Sequence, residues 1–224
     1  MSTIAEKVKL SKELIQKVVD QYPKIAVASS FGKDSMVVLH LALSVAPGIR
    51  VFTVMTRFKP IETFQYKDMM IKEWSLNIEE YSSKEMLSPM LPFEDPEGCC
   101  RLLKVEPTKK ALRGLDAWIT GLRKSEGKAR EDYRPVERRS LSIDGEEKLI
   151  TKVNPILGWE EIDIWKYLAM NRIPVHPFYA LGYRSLGCAP CSSIVDDLGA
   201  ERAGRWKGFD KCECGIHTEG RIIA

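Results

Sequence analysis

The sequence has no apolar run approaching the roughly 20 residues that a bilayer-crossing helix needs. Its N-terminus also lacks the basic, apolar, small-residue order of a secretory signal, so the chain is expected in the cytoplasm. There are no internal repeats and no low-complexity tracts. Neither sign of charge dominates: 34 Lys and Arg against 31 Asp and Glu leave a formal net charge of +3, too little to mark a general nucleic-acid binder. What remains is a globular composition, 224 residues with 44% hydrophobic side chains, enough to bury one substantial core. Six cysteines stand out against it. In a reducing compartment, and with two of them adjacent, they argue for metal binding or thiol chemistry rather than structural disulfides. Cys99-Cys100 and Cys188-Ala-Pro-Cys191 look like one site assembled by folding, whereas Lys211-Cys-Glu-Cys-Gly-Ile-His217 looks like a reactive tail.

Apolar spacing predicts an amphipathic helix over Ser11 to Tyr22, through Leu14, Ile15, Val18 and Val19. A short buried strand follows at Lys24 to Ser30, then a polar loop and an apolar helix from Met36 to about Val45. Further strands are expected near Arg50 to Thr56, Asn77 to Ser82 and Asp116 to Gly121, with helices at about Ile61 to Trp74 and Arg101 to Leu112 between them. Strands alternating with helices imply an α/β fold, a parallel sheet with helices on both faces and ligands at the carboxyl ends of its strands. Trp159, Ile162, Trp165 and Leu168 recur at helical spacing and are read as core packing. From Val175 onward Pro, Gly and Cys dominate. The expected organisation is a single domain over residues 1–206, including a cysteine-bearing loop region, followed by a mobile tail over 207–224.

The loop Ser29-Ser-Phe-Gly-Lys-Asp-Ser35 joins a strand to a helix. A glycine there permits a tight turn, and the helix N-terminus offers free amides and a positive dipole end to an anion. Ser30, Gly32, Lys33 and Ser35 are the candidate contacts. The spacing is not that of a Walker-type triphosphatase. It resembles the Ser-Gly-Gly-Lys-Asp-Ser loop of adenine-nucleotide alpha-hydrolase-like proteins, with Phe31 replacing the first glycine.

Four cysteines can hold one four-iron four-sulfur cluster, and tetrahedral zinc accepts the same set, although a vicinal pair suits zinc poorly. Six motifs occur together and in order: Cys99-Cys-Arg-Leu-Leu-Lys-Val-Glu-Pro107, Thr120-Gly-Leu-Arg123, Asn154-Pro-Ile-Leu-Gly-Trp159, Gly187-Cys-Ala-Pro-Cys191, Glu201-Arg-Ala-Gly-Arg-Trp206 and Glu213-Cys-Gly-Ile-His217. From about Lys24 to His217 the chain resembles the assimilatory adenylyl-sulfate and phosphoadenylyl-sulfate reductases, in particular their cluster-bearing branch. The resemblance implies a [4Fe-4S] cluster on Cys99, Cys100, Cys188 and Cys191, supporting the pocket without supplying the electrons. It also implies a nucleophile at Cys214, with His217, Arg202 and Arg205 in motifs that close over the substrate and Arg123 and Arg130 at its sulfate-phosphate end. Such an enzyme would pass through an S-sulfocysteine, be regenerated by thioredoxin or a glutaredoxin-like dithiol protein, and commonly form a homo-oligomer.

Two departures from the family pattern stand out. Cys212 occupies a position where the family usually carries lysine, and it reads as a spectator more readily than as a resolving thiol. After the second strand the family's Asp-Thr-Gly is replaced by Met55-Thr-Arg-Phe-Lys59. Basic residues where an acid would accept a ribose hydroxyl make room for a ribose phosphate, so Arg57 and Lys59 lean the expectation towards the 3′-phosphorylated substrate. The run Arg123 to Arg139, seven basic residues against four acids, fits an anion-binding flap or a solvated, mobile face. His40 is read as structural, His176 receives no role, and Trp206 is placed as a shield over the site. Two rival readings remain: an ATP-using nucleotide alpha-hydrolase such as an ATP sulfurylase subunit, which has no need of the cysteine-bearing tail, and a nucleotide-binding cluster protein acting as a redox sensor.

Overall fold

The computed structural model describes residues 2–85, 88–195, 199–211, 213, 215–218 and 220. Helix α1 (Ile4–Gln21) starts well before the Ser11 expected from its apolar stripe. The reason is local: Thr3 Oγ1 accepts from the Glu6 amide at 3.2 Å, and Glu6 Oε2 accepts from the Thr3 amide at 2.7 Å, a capping box that satisfies two otherwise orphaned donors. Strand β1 (Ile25–Ala28), α2 (Lys33–Val45), β2 (Arg50–Val54), α3 (Ile61–Glu73) and β3 (Ile78–Tyr81) then follow in the expected order. Among the described residues no helix is long and apolar enough to cross a membrane.

The helix expected from Arg101 is longer and less regular. It comprises short turns α4 (Leu91–Glu94) and α5 (Pro96–Cys100), a π-helical turn at Arg101–Val105 and α6 (Glu106–Leu112). Pro107 lacks the amide that would bond back to Leu103, and its ring crowds that carbonyl, so a widened turn there relieves the clash. Strand β4 (Ala117–Ile119) is followed by 3₁₀ turns at Lys124–Glu126 and Lys128–Arg130, then by a hairpin, β5 (Val136–Ile143) and β6 (Glu146–Val153), and α7 (Glu161–Met170).

The six strands form one sheet in the order β3-β2-β1-β4-β6-β5, parallel except for β5, which runs antiparallel to β6 at the edge. The hairpin was not expected from the sequence pattern, and it takes up only the end of the basic run Arg123 to Arg139, in which Lys124, Lys128, Arg134 and Arg138 are exposed and the other three are not. Arg123, Arg130 and Arg139 are all buried, at 0%, 4% and 1% exposure. The signal for it was present in Asp144-Gly145, whose φ values of 56° and 84° are those of the tight two-residue turn that matches strand twist.

Alternation along the strands builds two cores. Ile25 and Val27 of β1, Val51 of β2, Ala117 and Ile119 of β4 and Val153 of β6 face α1, α2, α3 and α7. Ala26, Phe52, Trp118 and Ile150 face α6 on the other side. Trp159 and Leu168 join the first core, and Trp165 packs partly against it. Ile162 does not: it is 58% exposed, because helical spacing alone cannot tell the edge of an apolar stripe from its centre. Strand order reverses between β1 and β4, so their carboxyl ends diverge and open a crevice. Gly121, just after β4, closes the approach to α2. A Cβ at this position would lie 2.9 Å from Asp34 C and Ser35 N, both backbone atoms.

Candidate active site

The loop after β1 is built by a residue in an unusual conformation. Phe31, where related loops carry glycine, takes φ 60°, a left-handed value that costs a non-glycine residue about 1–2 kcal/mol. Its ring is 1% exposed and meets Tyr66 edge-on at 6.5 Å, so burial offsets the strain. The Ser30 and Ser35 hydroxyls lie 3.3 Å apart, and Ser35 Oγ donates to the Gly32 carbonyl at 2.9 Å. The Lys33 amide, at the start of α2, donates to Tyr179 Oη at 2.8 Å. Its ammonium is buried and donates to Glu201 Oε1 at 2.5 Å and to the Arg184 carbonyl at 2.8 Å. Burial alone would drive the proton off Lys33, but Asp34 and Glu201 outweigh it and raise the pKa.

Around this loop lies a cavity of about 210 Å³ at the β1/β4 switch point. Ser30, Gly32, Lys33 and Ser35 line it from one side, and Arg130, Arg202, Arg205, Trp206 and His217 from another. Arg205 Nη1 donates to the Leu186 carbonyl at 2.7 Å, Nε to the Cys191 carbonyl at 3.1 Å, and the guanidinium lies 4.5 Å over the Trp206 ring. Lys59 also lines the cavity. Arg57 does not: its guanidinium donates to the Glu85 carbonyl outside it. The expectation that these two act together on a ribose phosphate therefore loses one of its members.

Arg123 is brought to the site but not into the cavity. It is fully buried, with Nε donating to Asp34 Oδ1 at 2.6 Å and Nη2 to both Glu201 oxygens at 2.5 and 2.8 Å. Nη1 donates to Ser125 Oγ at 2.8 Å, so the guanidinium is spent on the protein's own groups and ties α2 to the segment after Cys191. Arg130 and Arg202 share two carboxylates. Glu213 Oε2 accepts from Arg130 Nε at 2.9 Å and Nη2 at 2.7 Å, and its Oε1 from Arg202 Nη2 at 3.1 Å. Glu126 accepts from Arg130 Nη1 and stands 3.9 Å from Arg202. Burial works against the Glu213 carboxylate, but the permanently charged Arg130 and Arg202 outweigh it and hold the pKa down at about 2.

Cys212 and Cys214 lie outside the described residues. Their neighbours are packed against the body: Tyr133 Oη donates to the His217 carbonyl at 2.7 Å, and the Ser140 amide on edge strand β5 donates to the Gly220 carbonyl at 2.8 Å. His217 Nδ1 is buried without a hydrogen-bond partner among the described residues, and burial, followed by Lys152 and Arg130, drives its pKa well below the ordinary histidine value. His40 is structural as expected, its Nδ1 2.8 Å from Tyr167 Oη. His176, also buried, accepts from the Phe178 amide and pairs with Thr63 Oγ1 at 3.0 Å.

The four remaining cysteines converge beside the cavity. Cys99 and Cys100 end α5, Cys188 and Cys191 bracket a 3₁₀ turn, and all four are buried and unbridged, between 4% and 6% exposed. Burial and the neighbouring thiols push Cys99 up to about 11. For Cys188 burial acts the same way, but Lys104, Lys59, the Thr56 hydroxyl at 3.2 Å and Arg205 outweigh it and lower the pKa. Among the described residues the ligating atoms that crowd within 4.8 Å of one another as a set of three are those of Asp34, Glu126 and Glu201, not the sulfurs. Sequence reasoning passed over Lys104, Tyr179, Glu126 and Glu201, all of which line the cavity or brace it. Lys104 and Glu201 lie inside motifs that had been singled out for other residues.

A strand-loop-helix nucleotide cradle at the switch point of a mostly parallel sheet, with helices on both faces, defines an adenine-nucleotide alpha-hydrolase-like fold. Solved structures share it: phosphoadenylyl-sulfate reductase from Candida auris in its phosphate complex (TM-score 0.69, 22% identity, 87% of this chain and 98% of that one). An FMN adenylyltransferase from Candida glabrata with FAD and pyrophosphate is similar too (TM-score 0.66, 15% identity, 94% and 77%). Residues 24–194 match the phosphoadenosine phosphosulfate reductase domain. The adenosine 5′-phosphosulfate reductase of Mycobacterium tuberculosis H37Rv is 36% identical over 189 residues, covering 81% of this chain and 72% of that protein. Those of Salinibacter ruber (33%, 87% and 78%) and Burkholderia cepacia (30%, 96% and 88%) are similar over longer spans. The chain belongs to the phosphoadenosine phosphosulfate reductase family, and is thereby an oxidoreductase acting on a sulfur group.

Proposed function

We propose that this protein reduces adenylyl sulfate to sulfite, releasing adenosine 5′-monophosphate, with Cys214 as nucleophile and a thioredoxin-type dithiol protein as reductant. The observation that carries the reading is the cavity itself, in which a nucleotide loop faces Arg130, Arg202 and Arg205 and the tail segment around Cys214 lies against the arginines. The adenosine end would rest on the loop at Ser30, Gly32 and Ser35, and the phosphosulfate on the arginines. In that pose the Cys214 thiolate attacks sulfur, an S–S bond forms, the S–O bond to the nucleotide phosphate breaks, and the phosphate leaves with the electron pair. The arginines offset the charge on the leaving group and assist thiolate formation. A thiolate of the dithiol protein then attacks Cys214 Sγ and expels sulfite. Its second thiol displaces Cys214 from the mixed disulfide, so both electrons come from the partner. The tail must therefore serve two positions, over the cavity and out to the partner.

Choice of the unphosphorylated nucleotide rests on Arg57 lying off the cavity and on the names of the bacterial relatives. The four cysteines suit a four-iron four-sulfur cluster by their donor set, buried, unbridged thiols from two segments. Tetrahedral zinc takes its thiolates from Cys-x-x-Cys spacings, which the adjacent pair Cys99-Cys100 does not offer. Held on Cys99, Cys100, Cys188 and Cys191, a cluster would supply fixed charge and rigidity beside Lys104 and Lys59. The ATP-using alternative meets an obstacle in Tyr179 and Glu201, which take the Lys33 amide and ammonium that a triphosphate would need.

The deciding experiment is sulfite release by anaerobically purified protein from each adenylyl sulfate with a thioredoxin system. Sulfite from the unphosphorylated form, abolished in Cys214→Ser while the cluster absorbance stays, is expected. Absence of sulfite from both nucleotides overturns the function; equal or better use of the 3′-phosphorylated one overturns the substrate choice.

A further inference from the structure

Adenylyl sulfate carries its anionic groups at one end and its nucleoside at the other, so a cavity with two anion-binding ends would take it in either direction. This cavity has two candidates for such an end, the arginines and the start of α2. A helix start ordinarily offers unpaired amides to a phosphate. Here the Lys33 amide is given to Tyr179 Oη at 2.8 Å, so an uncharged phenol oxygen stands where an anionic oxygen would bind. The loop's ammonium is spent as well: Lys33 is 2% exposed and donates to Glu201 and to the Arg184 carbonyl. With Arg123 beside it the local charges match, two cations against Asp34 and Glu201, and no charge is left over for a phosphate chain.

Tyr179 is held in that place. It lies in the 3₁₀ turn Pro177–Leu181, capped by His176, whose Nδ1 accepts from the Phe178 amide at 3.2 Å and whose Nε2 is 3.0 Å from Thr63 Oγ1. The Tyr179 ring meets Trp165 edge-on at 5.3 Å. Burial, followed by Asp34, pushes the phenol above its ordinary pKa, so it is protonated at neutral pH. We infer that Tyr179 sets the orientation of the nucleotide: by filling the phosphate position at the start of α2 it leaves the anionic end of the substrate to the arginines, and the nucleoside to the loop. This rests on the reading of the cavity as an adenylyl-sulfate site. It also gives His176 and Trp165 a part, which is to brace the turn that carries Tyr179.

The test measures binding of inorganic pyrophosphate by calorimetry to full-length, anaerobically purified protein, with the melting temperature as the check on folding. Tyr179→Leu keeps an apolar side chain against Trp165 but cannot reach the Lys33 amide; Tyr179→Phe keeps the ring and loses only the hydroxyl. Pyrophosphate should bind about tenfold tighter in Tyr179→Leu than in wild type and about threefold tighter in Tyr179→Phe, since a freed amide gains a charged acceptor. Unchanged or weaker pyrophosphate binding in both variants overturns the proposal, because a side chain that only braced the loop would lose affinity on removal. Should Tyr179→Leu not fold, the same outcome in Tyr179→Phe overturns it. The readout requires no turnover. Wild type that releases sulfite while the variants gain no pyrophosphate affinity loses only the role of Tyr179, whereas wild type without sulfite release loses the function on which it rests.

Discussion

Arg123 shows how a single residue can matter to a cavity that it does not touch. Its guanidinium is buried between Asp34, which follows the nucleotide-loop lysine, and Glu201, which also holds the Lys33 ammonium. Removing one partner of a buried ion pair leaves the others desolvated and unpaired, a loss of about 3–5 kcal/mol. Arg123→Ala should therefore lower the stability measured by urea unfolding by that order. Arg123→Lys should recover only part of it, because an ammonium cannot reproduce the two-pronged contact. A role limited to substrate contact would leave unfolding unchanged and raise only KM. At this scale the sequence was readable where chemistry is carried by residue type. The loop serines and Lys33 line the cavity, and the four cysteines are buried and unbridged. Partner choice was not readable: Arg57 and Arg123 look alike in sequence, yet one lies on the surface and the other is sealed between two acids.

Among the elements, the junction of β4 with α2 governs the shape of the nucleotide loop. Gly121 allows the chain to pass the start of α2, and an added methyl group would meet backbone at 2.9 Å that has no side chain to swing aside. Gly121→Ala should shift α2 relative to β4, cost about 1–3 kcal/mol of stability, and weaken monophosphate binding about tenfold by calorimetry. Unaltered affinity would show that the loop tolerates the displacement. Element boundaries were legible where periodicity or capping chemistry was strong. They failed at the π turn, where Pro107 widens a helix whose apolar spacing reads as ordinary, and at the hairpin, where a charged run concealed strands. In β5 Glu137 and Arg139 are buried and paired at 2.6 Å, so charge did not mean solvent.

For the whole molecule, the cysteine site depends on two segments far apart in sequence being brought together by the sheet. On the proposed cluster assignment, substituting Cys188 by Ala should lose iron and acid-labile sulfide together and lower the melting temperature, since a group bound only by the folded state stabilises that state. Retention of stoichiometric iron in Cys188→Ala would remove it from the ligand set. Substituting Ser192, which adjoins the same turn, should leave iron content unchanged. The sequence alone determined the α/β alternation, the nucleotide loop, the pairing of cysteines by twos and the family motifs, because these depend on local periodicity and on residue chemistry at short spacing. Only the tertiary structure decided that Arg57 stands outside the cavity, that Arg123 serves Asp34 and Glu201, and that Glu213 rests on Arg130 and Arg202. A buried charge takes whichever opposite charge the fold delivers to it once water is gone, and that partner is set by strand order and loop path rather than by neighbouring residues.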